Sequence, residues 1–405
     1  MTTAGSQTSR TEFGLRAIAL KRGREARLKS GHPWIFAGDL AEPLPADLAG
    51  APVAVLDHRG GFLAIAVASG GGGLVLRVLT RQREVIDQAW LAGRLSSAIA
   101  LRRRWLGEVE GVRLVNAESD GLPALIVDRY GPFLSVQSLS AGADRMLPNV
   151  VEELVNLLSP VGIYERSDVT IRALEGLPER TGVLWGEAPP DEQVIQEGKA
   201  RFLVDIKNGQ KTGFFLDQRP NRQRLQTLCG GKRVLNTFCY SGGFSIPAAI
   251  GGAASVVGVD VSASALELAR RNAEINKVGD RCQWIEANAF DYLRELDRDR
   301  KRFDVVVLDP PAFTKTRQSV PGALRGYKEI NLRALKILEP GGLLVSSSCS
   351  HHVDAEAFLA VIAEAAADAG RHLRMVDYTG PGPDHPSLPA APETRYLKCF
   401  WGVVS

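Results

Sequence analysis

Residues 233–250 read RVLNTFCYSGGFSIPAAI: a strand-like start at Arg233 to Asn236, a turn carrying Gly242-Gly243, and a helical run to Ile250. The same change of period recurs downstream. Strand-like Ser255 to Val259 precedes a helix Ala263 to Asn276, Cys282 to Ile285 precedes a helix to Leu296, and Phe303 to Leu308 precedes a helix Gly326 to Leu338. Leu343 to Ser347 then precedes a helix Val353 to Ala369, and the closing run Arg395 to Val403 is again strand-like, in the position of an antiparallel edge hairpin. Short strands alternating with helices predict an α/β, Rossmann-like domain, a mostly parallel sheet with helices on both faces. In such sheets ligands collect at the C-terminal ends of the strands, so the residues there are the ones to read.

The first strand end is Asn236-Thr237-Phe238-Cys239-Tyr240-Ser241-Gly242-Gly243. Its glycines let backbone pass close to a ligand without a Cβ in the way. The string is not GxGxxG and lacks the Lys-Ser/Thr of a phosphate loop, which argues against a dinucleotide or a triphosphate. Asp260 ends the second strand, followed by Ser262; an acid there can accept both hydroxyls of a ribose. Asn288-Ala289-Phe290 ends the third, offering an amide and an aromatic to an adenine. Any one of these is equally a sharp turn or a capped helix, but their recurrence in order points to S-adenosylmethionine, with Asn236, Phe238, Tyr240, Ser241, Gly242, Gly243, Asp260, Ser262, Asn288, Ala289, Phe290 and Asp309 as its candidate contacts.

The fourth and fifth strand ends carry reactive groups. Phe303 to Leu308 runs into Asp309-Pro310-Pro311-Ala312-Phe313, and Leu343 to Val345 runs through three serines to Cys349. If the strands are parallel neighbours, thiol and carboxylate face one crevice, which suits methyl transfer to a nucleic-acid base. Carbon 5 of cytosine is a poor nucleophile until a thiolate adds to C6. Cys349 is the candidate nucleophile. At an ordinary pKa of about 8.5 only about 3% of a thiol is ionised at pH 7, so donors or positive charge are needed; Ser347, Ser348, His351 and Lys315 are the candidates near it. Asp309 would accept a hydrogen bond from the cytosine N4 amine, or donate to N3 if protonated. Pro310 and Pro311 stiffen the loop, and Phe313 offers a stacking face to a flipped base. Glu393 is the candidate for removing the C5 proton. A lone cysteine is commonly a small buried hydrophobe; that reading holds for Cys229, Cys239, Cys282 and Cys399, whereas Cys349 follows polar serines.

At 405 residues, with 45% hydrophobic and 23% charged residues, the chain is globular and too long for one core. No apolar run approaches the roughly 18 residues of a membrane span, and Met1 to Arg10 is polar, with no apolar signal core, so a cytoplasmic protein is expected. The cysteines form no CxxC pair and have no histidines at metal spacing, so neither disulfides nor a metal site is expected. The net charge of +3 implies no polyanion by itself. Its distribution is more telling, because Arg16, Lys21, Arg22, Arg24, Arg27 and Lys29 cluster around Glu25 alone. Such a cluster follows a phosphate backbone or is simply a solvated face. Lys21, Arg22, Arg24, Arg27 and Lys29 are the candidate RNA contacts.

Residues 1–83 read as a small β-rich domain with strand-like Pro52 to Leu56, Phe62 to Val67 and Leu74 to Leu79. Residues 84–192 read as an α+β domain. It has helices over Val85 to Leu106 and Asp144 to Leu158 and short strands at Val112 to Val115, Ala124 to Val127 and Phe133 to Ser138. The methyltransferase-type domain then covers residues 193–405. Arg102-Arg103-Arg104 suits a phosphate-lined partner. Glu118 to Pro123 and Val127 to Tyr130 read as turn motifs and carry no assigned chemistry.

The stretch KRGREARLKSGHPWIFAGDL, Lys21 to Leu40, resembles the opening of the RNA-binding PUA module of one bacterial rRNA methyltransferase family. Ahead of the first strand of the α/β domain, GQKTGFFLDQRPNR, Gly209 to Arg222, is similar to the segment that closes over the cofactor in the large-subunit rRNA cytosine-5 methyltransferases, the RlmI-type family. There Asp217 reads as a helix N-cap, with Gly230-Gly231 ending the helix. With NTFCYSGGFS, LDPPAF and SSSCSHH in order, the resemblance spans essentially the whole chain. It implies S-adenosylmethionine held also by Phe215, Asp217 and Arg222, and 23S rRNA as partner. It leaves the nucleotide open. The sequence likewise leaves the oligomeric state open, a homodimer being the assembly to test. In that family an acid usually stands where this chain has Asn288.

Two rivals keep the same motifs. Asp-Pro-Pro plus an aromatic also holds exocyclic amines for N-methylation, which needs no thiol. A non-catalytic RNA-binding protein would keep the fold and bind cofactor without turnover.

Overall fold

The structure, a computed structural model, describes residues 14–314 and 316–405. The polar stretch Met1 to Arg10 and Lys315 lie outside the described residues. The chain forms two compact units, and it passes between them several times. The first comprises Met1–Gln193, Val204–Phe214 and Pro383–Thr394; the second comprises Val194–Leu203, Phe215–Gly382 and Arg395–Ser405.

The first unit holds two sheets and two apolar clusters, the second cluster also taking Ile65, Val67 and Leu79 from the first sheet. One has the strand order Arg16–Ala19, Pro52–Leu56, Phe62–Ala68, Leu74–Thr80, Trp34–Phe36, closing on Val53, Val55, Ala64, Ala66, Leu76 and Val78. The other runs Arg180–Gly186, Gly162–Ser167, Phe133–Ser138, Leu125–Tyr130, Gly111–Asn116. It buries a cluster with Leu91, Leu95 and Ile99 of the helix Gln88–Leu106 and Leu147, Val150 and Leu154 of the helix Ala141–Leu158. A linear division at residues 83 and 192 therefore does not describe the two units, because two distant segments return to the first. Buried Arg166 donates to the carbonyls of Ile206 (2.7 Å) and Gly209 (2.9 Å), and the Tyr130 hydroxyl sits 2.9 Å from Thr212 Oγ1. Arg102 donates to the carbonyl of Asp384 at 2.9 Å, and Asn116 to that of Pro386 at 2.9 Å.

One expectation about charge changes here. Arg102 is not a phosphate contact: it is buried and makes a bidentate pair with Asp120, at 2.5 and 2.8 Å. Asp128 likewise pairs with Arg113 through two 2.8 Å bonds.

In the second unit we label α1 Arg219–Leu228, β1 Arg233–Thr237, α2 Ser245–Ile250, β2 Ser255–Asp260, α3 Ala263–Ile275, β3 Cys282–Glu286, α4 Ala289–Arg298, β4 Phe303–Leu308, α5 Val320–Ile337, β5 Leu338–Ser348, α6 Ala355–Asp368, β6 Leu373–Thr379 and β7 Lys398–Val404. The sheet order is β3-β2-β1-β4-β5-β7-β6. β1 to β5 pair in parallel, and β7 is antiparallel to both β5 and β6. The closing strand is antiparallel as expected and pairs with the edge strand β6, but it is not itself the edge. It inserts between β5 and β6, where Cys399, Phe400 and Trp401 are buried. α5 begins six residues earlier than the periodicity suggests, on Pro321 in its first turn. It buries Ala323, Tyr327, Ile330, Asn331 and Ala334, the three- and four-residue spacing of one face. Each fully buried Leu, Ile or Phe in this core contributes about 1.5–3 kcal/mol.

The register carries the functional consequence. Leu308 pairs with Ser346 and Thr237 with Leu308, while Ser348 faces Lys398. The ends of β1, β2, β4 and β5 thus share one sheet edge, and Asp260, Asp309 and Cys349 lie on it.

Candidate active site

The turn after β1 is the most conformationally constrained part of the edge. Phe238 and Tyr240 have φ of 59° and 47°, and Gly242 has φ of 82°. Left-handed backbone at bulky residues costs energy and clusters at ligand sites. A Cβ on Gly242 would stand 3.0 Å from the ring of Trp284, which fills the space beneath the turn. The Asp260 carboxylate ties this turn to the next one, accepting from Tyr240 N at 2.8 Å and Ser262 N at 3.0 Å. Ser262 caps α3 and Asn288 caps α4, accepting from Ala265 N and Phe290 N. Ala289 is buried behind that cap. Asn236 donates to Ser245 Oγ at 2.9 Å. Asn236 Oδ1 and Ser241 Oγ are buried and have no hydrogen-bond partner among the described residues. Two orphaned oxygens beside a ribose-type acid fit a polar ligand with donors, as S-adenosylmethionine is.

The segment expected over the cofactor is placed by its own partners. Phe215 meets the Tyr240 ring edge-on at 5.5 Å. Buried Arg222 makes a bidentate pair with Glu197, at 2.8 and 2.5 Å, and donates to the Phe215 carbonyl at 2.6 Å. Asp217 is not a helix cap: it lies in the turn Leu216–Gln218, and the N-cap position of α1 is Gln218, which makes no side-chain capping bond. The Asp217 carboxylate instead accepts from the Tyr396 hydroxyl at 2.5 Å, and the Tyr396 ring lies 5.5 Å from that of His351.

Thiol and carboxylate loops meet. Cys349 follows β5 directly and is half-buried, and its Sγ is 3.8 Å from the carbonyl oxygen of Pro310. Gln218 joins the two loops, donating from Nε2 to Asp309 Oδ1 (2.9 Å) and to Ser347 Oγ (3.2 Å). Its orientation follows from a chain of partners. Trp401 Nε1 is only a donor and gives its proton to Thr379 Oγ1 (3.2 Å); Thr379 donates to Asn221 Oδ1 (2.7 Å), and Asn221 Nδ2 donates to Gln218 Oε1 (2.6 Å). The Thr379 proton takes the shorter of its two acceptors, the Cys399 carbonyl being 3.4 Å away; in this pattern the amide faces Asp309 with N–H, and Asp309 Oδ1 accepts.

Pro310 is buried and Pro311 exposed. The Phe313 ring is 4.6 Å from that of Tyr327 and 5.7 Å from that of Phe290, and a Cβ on Gly326 would touch it at 3.2 Å. One face of Phe313 is thus already packed against α5. Phe238 is 6.4 Å from Phe290, joining both loops to one aromatic cluster.

Sequence reasoning missed the groups beneath Cys349. Lys398 is buried and donates from Nζ to the carbonyls of Ser350 (2.7 Å) and Val353 (2.6 Å). Burial pushes its ammonium down to about 8, against the opposing pull of Cys349 and Asp354. The Tyr327 hydroxyl lies 2.9 Å from Ser350 Oγ, and burial raises its pKa. A lysine heading an otherwise apolar strand was the available signal for Lys398.

The remaining thiols are inert by burial. Cys229 and Cys399 are pushed up to about 12 and Cys282 to about 11, and Cys239 is raised well above the ordinary range, Asp260 adding to the effect.

Glu393 belongs to the first unit. Its carboxylate accepts from Arg27 at 3.3 Å and lies 3.4 Å from His32 Nε2. Burial pushes its pKa up, but its own backbone N–H, His32 and Arg27 outweigh that and hold it below the ordinary value. Burial and Arg27 keep His32 neutral more readily than usual, so Arg27 is the charged partner of Glu393. Of the expected RNA contacts, Lys21, Arg22, Arg24 and Lys29 are exposed, whereas Arg27 lies over the Phe36 ring at 4.7 Å.

Among the described residues no cluster of His, Cys, Asp or Glu could hold a metal, and no helix is long and apolar enough to cross a membrane.

Comparison with known proteins agrees with this geometry. The model of a family described as S-adenosylmethionine-dependent methyltransferase matches residues 178–398, and that of a PUA-like domain matches residues 18–81. A relative from Aeromonas hydrophila named "Ribosomal RNA large subunit methyltransferase I" is 43% identical over 387 residues, covering 94% of this chain and 98% of its own. One of the same name from Photobacterium profundum is 44% identical over 390 residues, 95% and 98% of the two chains. A solved structure from Streptococcus mutans, described as a candidate SAM-dependent methyltransferase, superposes with a TM-score of 0.83 at 22% identity, covering 96% of this chain and 99% of that one.

Proposed function

The chain belongs to the S-adenosylmethionine-dependent methyltransferases, in the family of ribosomal RNA large subunit methyltransferase I, and from that membership we propose that it forms 5-methylcytosine in 23S rRNA through a covalent adduct between Cys349 and C6 of the base. The observation that carries this reading is the 3.8 Å approach of Cys349 Sγ to the Pro310 carbonyl, with Asp309 next to it and tied by Gln218 to the strand that bears the thiol.

S-adenosylmethionine supplies an electrophilic methyl group on a sulfonium; Asn236, Ser241, Asp260 and the turn Phe238 to Gly243 are the residues that would hold it, with Asn288, Phe290 and Phe215 around it. The chain's own groups do the rest. The Cys349 thiolate forms a bond to C6, and the C5–C6 electrons become available at C5, which takes the methyl group. A base removes the C5 proton, the C5=C6 bond re-forms, and the sulfur leaves as thiolate. Asp309, whose Oδ1 accepts from Gln218, offers its other oxygen to the N4 amine. That favours a base with an exocyclic amino group over uracil, which presents an acceptor at that position. The exposed Lys21, Arg22, Arg24 and Lys29 of the PUA-like domain suit the phosphate backbone.

The test is incubation with 5-fluorocytosine-containing rRNA and labelled cofactor. Fluorine at C5 blocks proton removal, so a labelled adduct on Cys349 is expected. Cys349→Ala should abolish methylation and spare cofactor binding measured by calorimetry. A wild-type rate in that variant would instead establish nitrogen methylation, and absence of cofactor binding in the wild type would point to a non-catalytic RNA-binding protein.

A further inference from the structure

The thiol of Cys349 emerges at a sheet edge with a lysine beneath it, and nothing in the reaction outlined above uses that lysine. Lys398 opens β7 and stands opposite Ser348, the residue before the nucleophile. It is 6% exposed, in a strand whose other members are apolar. An ammonium buried in hydrocarbon is costly unless its charge and protons are used. Two of its three protons go to the carbonyls of Ser350 and Val353, which wraps the chain after Cys349 around the cation. The third remains. The one carboxylate that acts on the ammonium, Asp354, is occupied in capping α6 through Ala357 N at 2.8 Å.

We propose that Lys398 is a positioning residue that holds the Cys349 turn from below and supplies the fixed positive charge that favours the Cys349 thiolate, both before attack and when sulfur departs. Ionisation releases the thiol proton to solvent and leaves Lys398 protonated, so the charge is static and no proton passes through it. A cation within about 4–6 Å lowers the pKa of an acid by one to three units. Tyr327 on α5 complements it, as a neutral hydroxyl whose pKa burial raises and which lies 2.9 Å from Ser350 Oγ. Among the described residues, Asp309, one residue from the Pro310 contact of the thiol, and the exposed His351 of its own loop are further titratable groups close to it in the chain fold. Neither is a buried cation.

The catalytic consequence rests on Cys349 being the nucleophile proposed above; the effect on its ionisation does not. The experiment is therefore the pH dependence of iodoacetamide alkylation of Cys349 in the full chain, mapped by mass spectrometry. The four other thiols, raised by burial, will not react near pH 7. In Lys398→Met the midpoint for Cys349 should rise by about one unit or more, with a roughly tenfold slower reaction at pH 7. The mutant and wild-type curves should converge above about pH 9, because the wild-type ammonium, pushed down to about 8, has lost its proton there. Lys398→Arg should restore the lower midpoint. If Lys398→Met does not fold, Lys398→Gln serves instead: it keeps an amide donor for the Ser350 and Val353 carbonyls, removes the charge, and should raise the midpoint in the same way. An unchanged midpoint in a Lys398→Met protein that melts like wild type overturns the proposal, as does a folded Lys398→Arg protein that behaves like the methionine variant. An unshifted adduct map with a shifted alkylation midpoint would separate this role from the identity of the nucleophile.

Discussion

Exchanging Gln218 for glutamate alters one amide group and converts the strongest tie across the site into a repulsion. In the wild type, Nε2 donates to Asp309 Oδ1 at 2.9 Å, and Asn221 Nδ2 donates to Oε1 at 2.6 Å. In Gln218→Glu the Asn221 hydrogen bond survives, since a carboxylate also accepts, but two carboxylates face one another at that 2.9 Å spacing. At an effective dielectric constant of about 20 their repulsion is about 6 kcal/mol as an upper bound. Taking up one proton at pH 7 by a carboxyl of ordinary pKa costs only about 4 kcal/mol, so the pair will share a proton, as catalytic carboxylate pairs do. The sign follows. The folded variant binds a proton that the unfolded chain, with carboxyls titrating near pH 4, has lost. Stability must therefore fall as pH rises from about 4 toward the raised pKa of the pair, by about 1.4 kcal/mol per unit. Between pH 5.5 and 7.0 that is about 2 kcal/mol relative to wild type. Denaturation at both pH values measures it. Methyl transfer should be impaired wherever the proton sits on Asp309, which then donates where it must accept the amine. Parallel pH–stability curves for variant and wild type would refute the assignment of Gln218 as donor to Asp309.

Glu393→Gln should keep single-turnover methyl transfer within a few-fold of wild type, because a carboxylate held below its ordinary range beside Arg27 is a poor proton acceptor; a loss beyond a hundredfold with intact cofactor binding would restore it as the base. The Glu393 contribution to stability is present above its ordinary pKa of about 4.3 and fades as pH falls below it, and it is small because the side chain is 46% exposed. Within the arginine run the expected effects separate cleanly. Arg102→Ala leaves Asp120 buried without its partner and should cost about 3–5 kcal/mol in thermal or denaturant unfolding. Arg104→Ala should melt like wild type while weakening rRNA binding and reducing the salt dependence by about 0.9 in the log–log slope for each phosphate that is no longer neutralised.

The strand ends were legible in the sequence because each is announced locally: an apolar run, then a glycine, an acid or a proline pair, then a change of period. That is why Asp260, Asp309 and Cys349 fall on one edge as the alternation predicts. The partners that tune them were not legible, since Gln218 and Asp309 are 91 residues apart and Lys398 and Ser350 are 48 apart; no local period reports such pairings. The acids before β1 illustrate the converse error. Asp217 stands ahead of a helix and reads as its cap, yet the tertiary hydrogen bond from Tyr396 claims it, because a buried carboxylate takes the strongest donor in reach. The position of β7 held a readable clue. Cys399 to Val404 is apolar on both faces rather than alternating, which marks an interior strand, not an edge. Once β7 is placed beside β5, Lys398 must lie next to the end of β5, and the thiol-bearing turn acquires its cation as a consequence of topology. The same insertion brings Trp401 to Thr379 and so joins β7 to the hydrogen-bond chain that ends on Asp309. Sheet order, more than any single motif, thus decides the charge at the sulfur and which side chains link the closing strand to the carboxylate.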